Sequence, residues 1–472
     1  MKRVIKIGIF IILFAAQFAI ITNIMNYKGD AAINRCFYSY KENTMDVIFF
    51  GTSKVYANIN PCVLWKEHKI ASFDFAGSSK PMWNTYYDIQ EALKYQDPQV
   101  IVVDVYGVAG RSDFSSLERA IIHVMGLRTS LNKWEDIKAS VAEDDNRIAF
   151  LLNYPIYHSR YKELTVGDYQ YNFSKEHPRF LPGTIIRYNT EPQTPKIDID
   201  QVKETIELYE KQEDYLCKII ELCHDRNIPL LLVSAPSCLS EESQKEINAV
   251  WEIAEDYKVP YLDFNKMYEE VGIDFSEDFS DEGHLNFKGS EKYTKYLGDY
   301  LSNQYTWKDK NNGFDDTMWV KSTKYYYSRV ADMEMAMIND LRSYLKALSD
   351  DRLIYIVSVR AGGCGEEMEA YLRMCGVSGL TLVNGGVCMI DGMRCIFDSG
   401  GSDEFHNVVD LENNYLEVKK EEGAVEQLIF NGKDYRTNVD GINIIVYDKE
   451  TKSFADRVAF DIQNLEMRFI EK

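Results

Sequence analysis

The 472-residue sequence predicts an α/β protein. The expected core is a three-layer sandwich around a mainly parallel, flavodoxin-like sheet. A transmembrane helix precedes it, and a mostly-β α+β domain follows. Three observations predict this. Short apolar runs alternate with amphipathic stretches from Asp46 to about residue 305, as βα repeats do. Beyond the polar, turn-prone stretch KDKNNGFDD, closely spaced strand-like segments take over. At the other end, residues 7–25 read IGIFIILFAAQFAIITNIM, 19 residues without a charge.

That apolar run is long enough to cross a bilayer as a helix. Lys2, Arg3 and Lys6 precede it. Basic flanks stay cytoplasmic, so residues 30–472 are expected on the extracytoplasmic side of the cell membrane. Ala15, Ala16 and Ala19 leave a cleavable signal peptide as the alternative to a single-pass signal anchor. Either way the rest of the chain is exported.

Within 30–306, DVIFFG (46–51), KIASFDFAG (69–77), QVIVVDVYG (99–107), IPLLLVSAP (228–236) and VPYLDF (259–264) read as buried parallel strands. Helical spacing appears at 84–96, 202–224, 240–258 and 290–304. The Tyr- and Arg-rich stretch 111–200 interrupts the alternation and is expected as a helical and loop insertion. Residues 307–320 read as a linker. In 321–472 the spacing predicts a helix at about 331–349, a strand LIYIVSV, and a short helix at 366–375. The hairpin VCMIDGMRCIFD follows, then the strands YLEVKKE, AVEQLIFNGKDY, INIIVYD and RVAFDI.

Composition excludes several classes. With 53 basic and 74 acidic residues the net charge is −21, so a nucleic-acid partner is not expected. At 45% hydrophobic and 27% charged, the chain is not a disordered one. Nine cysteines include no C-x-x-C, so zinc-ribbon spacing is absent. Cys388 and Cys395 flank Asp391-Gly392, a hairpin turn signal that sets them opposite each other as a candidate disulfide or two packed thiols.

Two segments carry chemistry. In FFGTSKVYANINP a strand ends at Phe50, Gly51 permits a tight turn, and Ser53 follows at the strand's carboxyl end. Ligand crevices of open α/β sheets lie at those ends. In FSDEGHLNFKGSEKYTKYL, Asp281 and His284 stand three apart before the last helix of the domain. A serine hydroxyl needs a base to become a nucleophile, and imidazole titrates in the useful range. A carboxylate on the other ring nitrogen fixes the tautomer and stabilises the imidazolium.

The two segments resemble the end blocks of the SGNH (GDSL-like) hydrolase superfamily, in its extracytoplasmic polysaccharide-modifying form. The resemblance covers about 44–305. It implies Ser53 as nucleophile, His284 as general base and Asp281 as its orienting carboxylate. It also implies an oxyanion hole from the N–H groups of Ser53 and Gly77. The usual G-x-N-D block is missing, and Asn84 is the substitute third donor, with helix capping as its other role. The resemblance further implies a carbohydrate esterase or O-acetyltransferase that needs no metal or organic cofactor. Its partner would be an acylated polysaccharide or cell-wall glycan. Asp104 and Tyr106 end a strand and are expected either to line the same crevice or to bond a loop. SAP at 234–236 is expected to shape a loop. His68, His123, His158, His177, His224 and His406 lack metal-ligand spacing.

Residues 415–461 are similar to the interleukin-like EMT inducer (PANDER-like) domain, through Gly441, Asn443, Val446, Asp448, Thr451, Phe460 and Asp461. LIYIVSVRAGGCGEEMEAYLRMCGV resembles a second block of that domain. Here it stands first rather than second, with Arg360 where the family often has Asp. That resemblance implies a lectin-like, glycan-binding module. A structural or dimerising domain is the alternative. For the whole chain, the alternatives to an enzyme are a catalytically idle SGNH fold that binds glycan and a scaffold of a polysaccharide assembly.

Overall fold

The computed structural model describes residues 2–26, 33, 36–170, 181–308, 310, 313–360, 365–378, 386–437, 440–461 and 468–469. Cys364, His177 and residues 171–180 of the expected insertion lie outside them. The chain forms two compact units, Met1–Thr323 and Lys324–Lys472.

The first unit opens with helix α1 (Lys2–Met25), which over Arg3–Met25 is long and apolar enough to cross a membrane. Its core is a five-stranded parallel sheet: β1 (Val47–Gly51), β2 (Ser72–Ala76), β3 (Val100–Asp104), β4 (Leu230–Ser234) and β5 (Tyr261–Asp263). The order is β2-β1-β3-β4-β5. All five expected strands are present. β1 to β4 are buried along their whole length, as strands covered on both faces must be. Each fully buried Val, Ile or Phe contributes about 1.5–3 kcal/mol. The order is the flavodoxin-like one, and its direction reverses between β1 and β3. A crevice therefore opens past the carboxyl ends of those two strands.

Helices α2 (Ser53–Asn58), α3 (Pro61–His68), α4 (Met82–Ala92), α5 (Glu210–Asp225) and α6 (Glu241–Tyr257) lie between the strands, and α7 (Phe287–Gln304) follows them. α5 starts later than the sequence suggests. Residues 202–209 are irregular, and the Asn248 side chain donates to the carbonyls of Val202 and Glu204 at 3.0 Å each. Side-chain donors there replace helical ones. The described part of the interrupting stretch contains helices at Leu117–Met125, Leu131–Ser140 and Arg147–Leu152 and irregular segments between them.

The second unit is built around an antiparallel six-stranded sheet, in the order β10-β9-β8-β15-β16-β17. Its strands are β8 (Leu353–Val359), β9 (Gly386–Asp391), β10 (Arg394–Asp398), β15 (Gly441–Asp448), β16 (Ser453–Asp461) and β17 (Arg468–Phe469). Helices Leu341–Leu348 and Gly365–Met374 pack on one face. A four-stranded sheet covers the other: β11 (Phe405–Leu411), β12 (Asn414–Lys420), β13 (Gln427–Phe430) and β14 (Lys433–Asp434). The single helix expected at 331–349 is two, Thr317–Ala336 and Leu341–Leu348. Asp340 caps the second by accepting from the Ser343 N–H at 2.8 Å. The first of them begins inside the expected linker.

The hairpin register also differs. Asp391 pairs with Arg394, which makes Gly392-Met393 the turn. Cys395 faces Ile390, and a bulge then sets Cys388 opposite Asp398. The two cysteines are not opposite each other, and both are thiols.

Candidate functional site

Ser53 is placed by the turn before it. Gly51 ends β1 at φ +147°, a conformation that L side chains rarely adopt, and a Cβ there would meet Asp104 Cβ at 3.0 Å. Thr52 caps α2, its hydroxyl accepting from the Lys54 N–H at 3.3 Å. Ser53 is thus the first helical residue, at the carboxyl end of β1. First-turn N–H groups have no intrahelical acceptor.

Asp281 and His284 come from a two-stranded ribbon, β6 (Phe279–Asp281) and β7 (His284–Leu285). The turn Glu282-Gly283 closes through the Gly283 N–H, which donates to Asp281 Oδ1 at 2.8 Å. Asn286 then caps α7, accepting from the N–H groups of Lys288 and Gly289 at 3.0 and 3.2 Å.

The structure brings the three expected residues together. Ser53 Oγ lies 2.7 Å from His284 Nε2. His284 Nδ1 lies 2.8 Å from Asp281 Oδ1 and 3.0 Å from Oδ2. The His284 side chain is 18% exposed and that of Asp281 39%, so solutes reach the relay. Burial pushes the His284 pKa down, and the Arg187 and Lys54 cations push the same way against Asp281. The ring is therefore neutral around pH 7. Burial raises the Asp281 carboxyl, but the Gly283 N–H, His284 and Arg187 outweigh it and hold the group below the usual carboxylate range. A neutral imidazole between a serine hydroxyl and a carboxylate is equipped to take the serine proton.

The two other expected donors are occupied elsewhere. The Gly77 N–H donates to the Gly51 carbonyl at 3.2 Å. Ala76 pairs with Gly51, so this bond continues the parallel ladder by one residue. Gly77 has a packing explanation instead, because a Cβ there would come within 2.7 Å of Lys80 Cε. Asn84 does not cap its helix, whose N-cap is Pro81. It lies inside α4, fully buried, and its amide donates to Asp136 Oδ1 at 2.6 Å and Ser140 Oγ at 2.8 Å. Asp104 bonds loops: Oδ2 accepts from the Ala235 N–H at 3.0 Å and Oδ1 from the Tyr106 N–H at 3.2 Å.

Three further residues escape the sequence reading, and a fourth, His123, figures in it only as a histidine without metal-ligand spacing. Lys54 is buried beside its neighbour Ser53. It donates to the Gly283 carbonyl at 3.1 Å and lies 4.2 Å from the centre of the Tyr106 ring. Burial pulls its pKa down to about 8, against the carboxylates of Asp104 and Asp281. Asn58, at the end of α2, accepts from the Leu285 N–H at 2.9 Å and donates to the Pro236 carbonyl at 3.2 Å. Arg187, from the interrupting stretch, donates to Asp281 Oδ2 at 3.1 Å. His123 is buried and bonds the Ser78 carbonyl through Nε2 at 2.9 Å, under the loop that follows β2. Among the described residues, no group of three His, Cys, Asp or Glu is arranged to hold a metal ion.

The fold and site together define an α/β protein with a Ser–His–Asp hydrogen-bond relay at the switch point of its sheet. No family model matches the chain, and no curated protein matches it. Among solved structures, the chain is similar to a GDSL-like lipase from Bacteroides thetaiotaomicron, at 10% identity and a TM-score of 0.29, over 60% of this chain and 100% of that one. It is similar to a protein assigned to the G-D-S-L lipolytic family from Desulfitobacterium hafniense, at 11% and 0.28, over 55% and 100%. An acetyl xylan esterase from Butyrivibrio proteoclasticus gives 10% and 0.23, over 56% and 65%.

Proposed function

We propose that this protein is a membrane-anchored serine acyl esterase or O-acetyltransferase. Its substrate would be an acyl ester on a cell-envelope polysaccharide or exopolysaccharide, on the extracytoplasmic side. The carrying observation is the relay of 2.7 and 2.8 Å from Ser53 through His284 to Asp281. His284 Nε2 removes the Ser53 proton as Oγ attacks the acyl carbonyl. Asp281 stabilises the imidazolium that results. The first-turn N–H of Ser53 faces the developing oxyanion. His284 returns the proton to the departing sugar hydroxyl, which leaves an acyl-serine. Water or a second sugar hydroxyl, deprotonated by the same imidazole, then takes the acyl group. Hydrolysis and transfer use the same residues. The glycan-binding role proposed for residues 321–472 rests on the sequence resemblance alone.

A fluorophosphonate probe tests the relay. Intact mass should show one adduct on the full chain in detergent and none on Ser53→Ala. Turnover of acetylated glycans should fall at least ~10³-fold in Ser53→Ala and in His284→Ala, as it does when other triads lose a member. Wild-type-like turnover in either variant would sink the proposal.

A further inference from the structure

α1 is exposed along nearly all of its length, but its C-terminal end is not. Met25 and the following Asn26 are buried, at 6% and 5% exposure. What covers that end is the latter part of the interrupting stretch. Arg160 Nη1 donates to the carbonyls of Ile24, Met25 and Asn26 at 3.5, 3.1 and 3.1 Å. These are carbonyls that a helix terminus leaves without intrahelical partners. Arg160 Nη2 is held in turn by Asp168 Oδ1 at 2.6 Å, and Asp168 Oδ2 accepts from the Thr165 N–H at 2.9 Å. The guanidinium thus ties the exit of the apolar helix to a compact 3₁₀ turn (His158–Lys162) and a short helix (Val166–Gln170).

The same segment presents large side chains outward. Val166 is 70% exposed, Tyr161 63% and Tyr169 49%. The 23 residues of Arg3–Met25 span about 35 Å as a helix, slightly more than a hydrocarbon core of about 30 Å. Arg160 then stands at headgroup depth. Tyrosine is favoured at that depth, where its ring is apolar and its hydroxyl wet. Charge agrees. Residues 159–170 carry Arg160 and Lys162 against Glu163 and Asp168, a net of 2 − 2 = 0 in a chain of −21. This surface is not repelled by an anionic bilayer.

We propose that Ser159–Tyr169 is a membrane-interfacial collar. It clamps the exit of α1 through Arg160 and lays Tyr161, Val166 and Tyr169 into the headgroup region of the bilayer that α1 crosses. The proposal rests on the reading of α1 as a membrane span. The collar belongs to the same unit as the Ser53 crevice, so it keeps that crevice close to the membrane surface.

The test is photocrosslinking of the full chain in phospholipid nanodiscs and in native membranes. p-Benzoylphenylalanine replaces Tyr161, Tyr169, Phe14 on α1, or Tyr257 on α6, one at a time. Phospholipid adducts at 161, 169 and 14, with none at 257, are expected. Adducts at 14 but not at 161 or 169 overturn the collar and leave the span standing. No adduct at 14 overturns the span and the collar with it. Crosslinks from 161 and 169 to a second protein rather than to lipid, in native membranes, overturn the collar by making this face a protein interface.

Discussion

The proposed nucleophile Ser53 needs His284 neutral, and the surroundings of that ring set its state. Burial does most of it, and Arg187 and Lys54 add their field. Lys54 also pins the Gly283 carbonyl at 3.1 Å, in the turn between Asp281 and His284. Removing its charge in Lys54→Met relieves part of the downward push, so the His284 pKa rises. The acid limb of kcat/KM should then move to higher pH, and activity at pH 6 should fall more than at pH 8. Lys54→Arg keeps the cation and should restore the limb. A pH–rate profile of the three proteins checks this, and identical limbs would remove Lys54 from the mechanism. That Ser53, Asp281 and His284 would come together was legible in the sequence because each block is local. Lys54, Asn58 and Arg187 were not, because their partners lie 229, 227 and 94 residues away. The bonds of Gly77 and Asn84 were not legible either, for the same reason. Only the sheet register and the packing against Leu131–Ser140 reveal what their N–H groups bond.

At the scale of elements, the five parallel strands were legible because burial on both faces writes them as unbroken apolar runs. β11 was not picked out. Its burial alternates residue by residue, and His406, Asn407 and Asp410 interrupt its apolar residues. Helix boundaries failed where side chains from other elements satisfied the backbone, as Asn248 does at Val202. Within the strands, Asp74 on β2 stands out. It is fully buried, and neither carboxyl oxygen has a hydrogen-bond partner. Burial lifts its pKa well above the usual carboxylate value. The folded state therefore binds a proton that the unfolded state releases above about pH 4, so this group lowers stability progressively as pH rises from there. Asp74→Asn keeps the shape and removes the titration. It should match wild type near pH 4 and melt higher at pH 8, by an amount that grows with pH. Differential scanning calorimetry across pH measures this, and a pH-independent difference would refute it. Asn58→Ala acts on another element pair. It strands the Leu285 N–H and the Pro236 carbonyl, at about 2–4 kcal/mol together. Leu285 adjoins His284, so kcat should fall more than KM rises.

At the scale of the whole molecule, the described apolar cores do not mix. One cluster draws its buried residues from between Ile33 and Trp319, and the two in the second unit draw theirs from between Met335 and Phe460. Among the described residues each of these clusters lies within one unit, so each unit has a core of its own from which cooperativity can come. Ile444 tests this. It is fully buried in the middle of β15, between β8 and β16. Ile444→Ala removes three carbons from that core and should cost about 2–5 kcal/mol of the second unit's stability. Hydrogen exchange should rise across β8, β9, β15 and β16, while β1, β3 and β4 keep their protection. Fluorophosphonate labelling of Ser53 should stay at one adduct per chain through the temperature range in which the second unit opens. Labelling that is lost together with β15 protection would mean that the two cores unfold as one, and the catalytic assignment would then need the second unit as part of its scaffold.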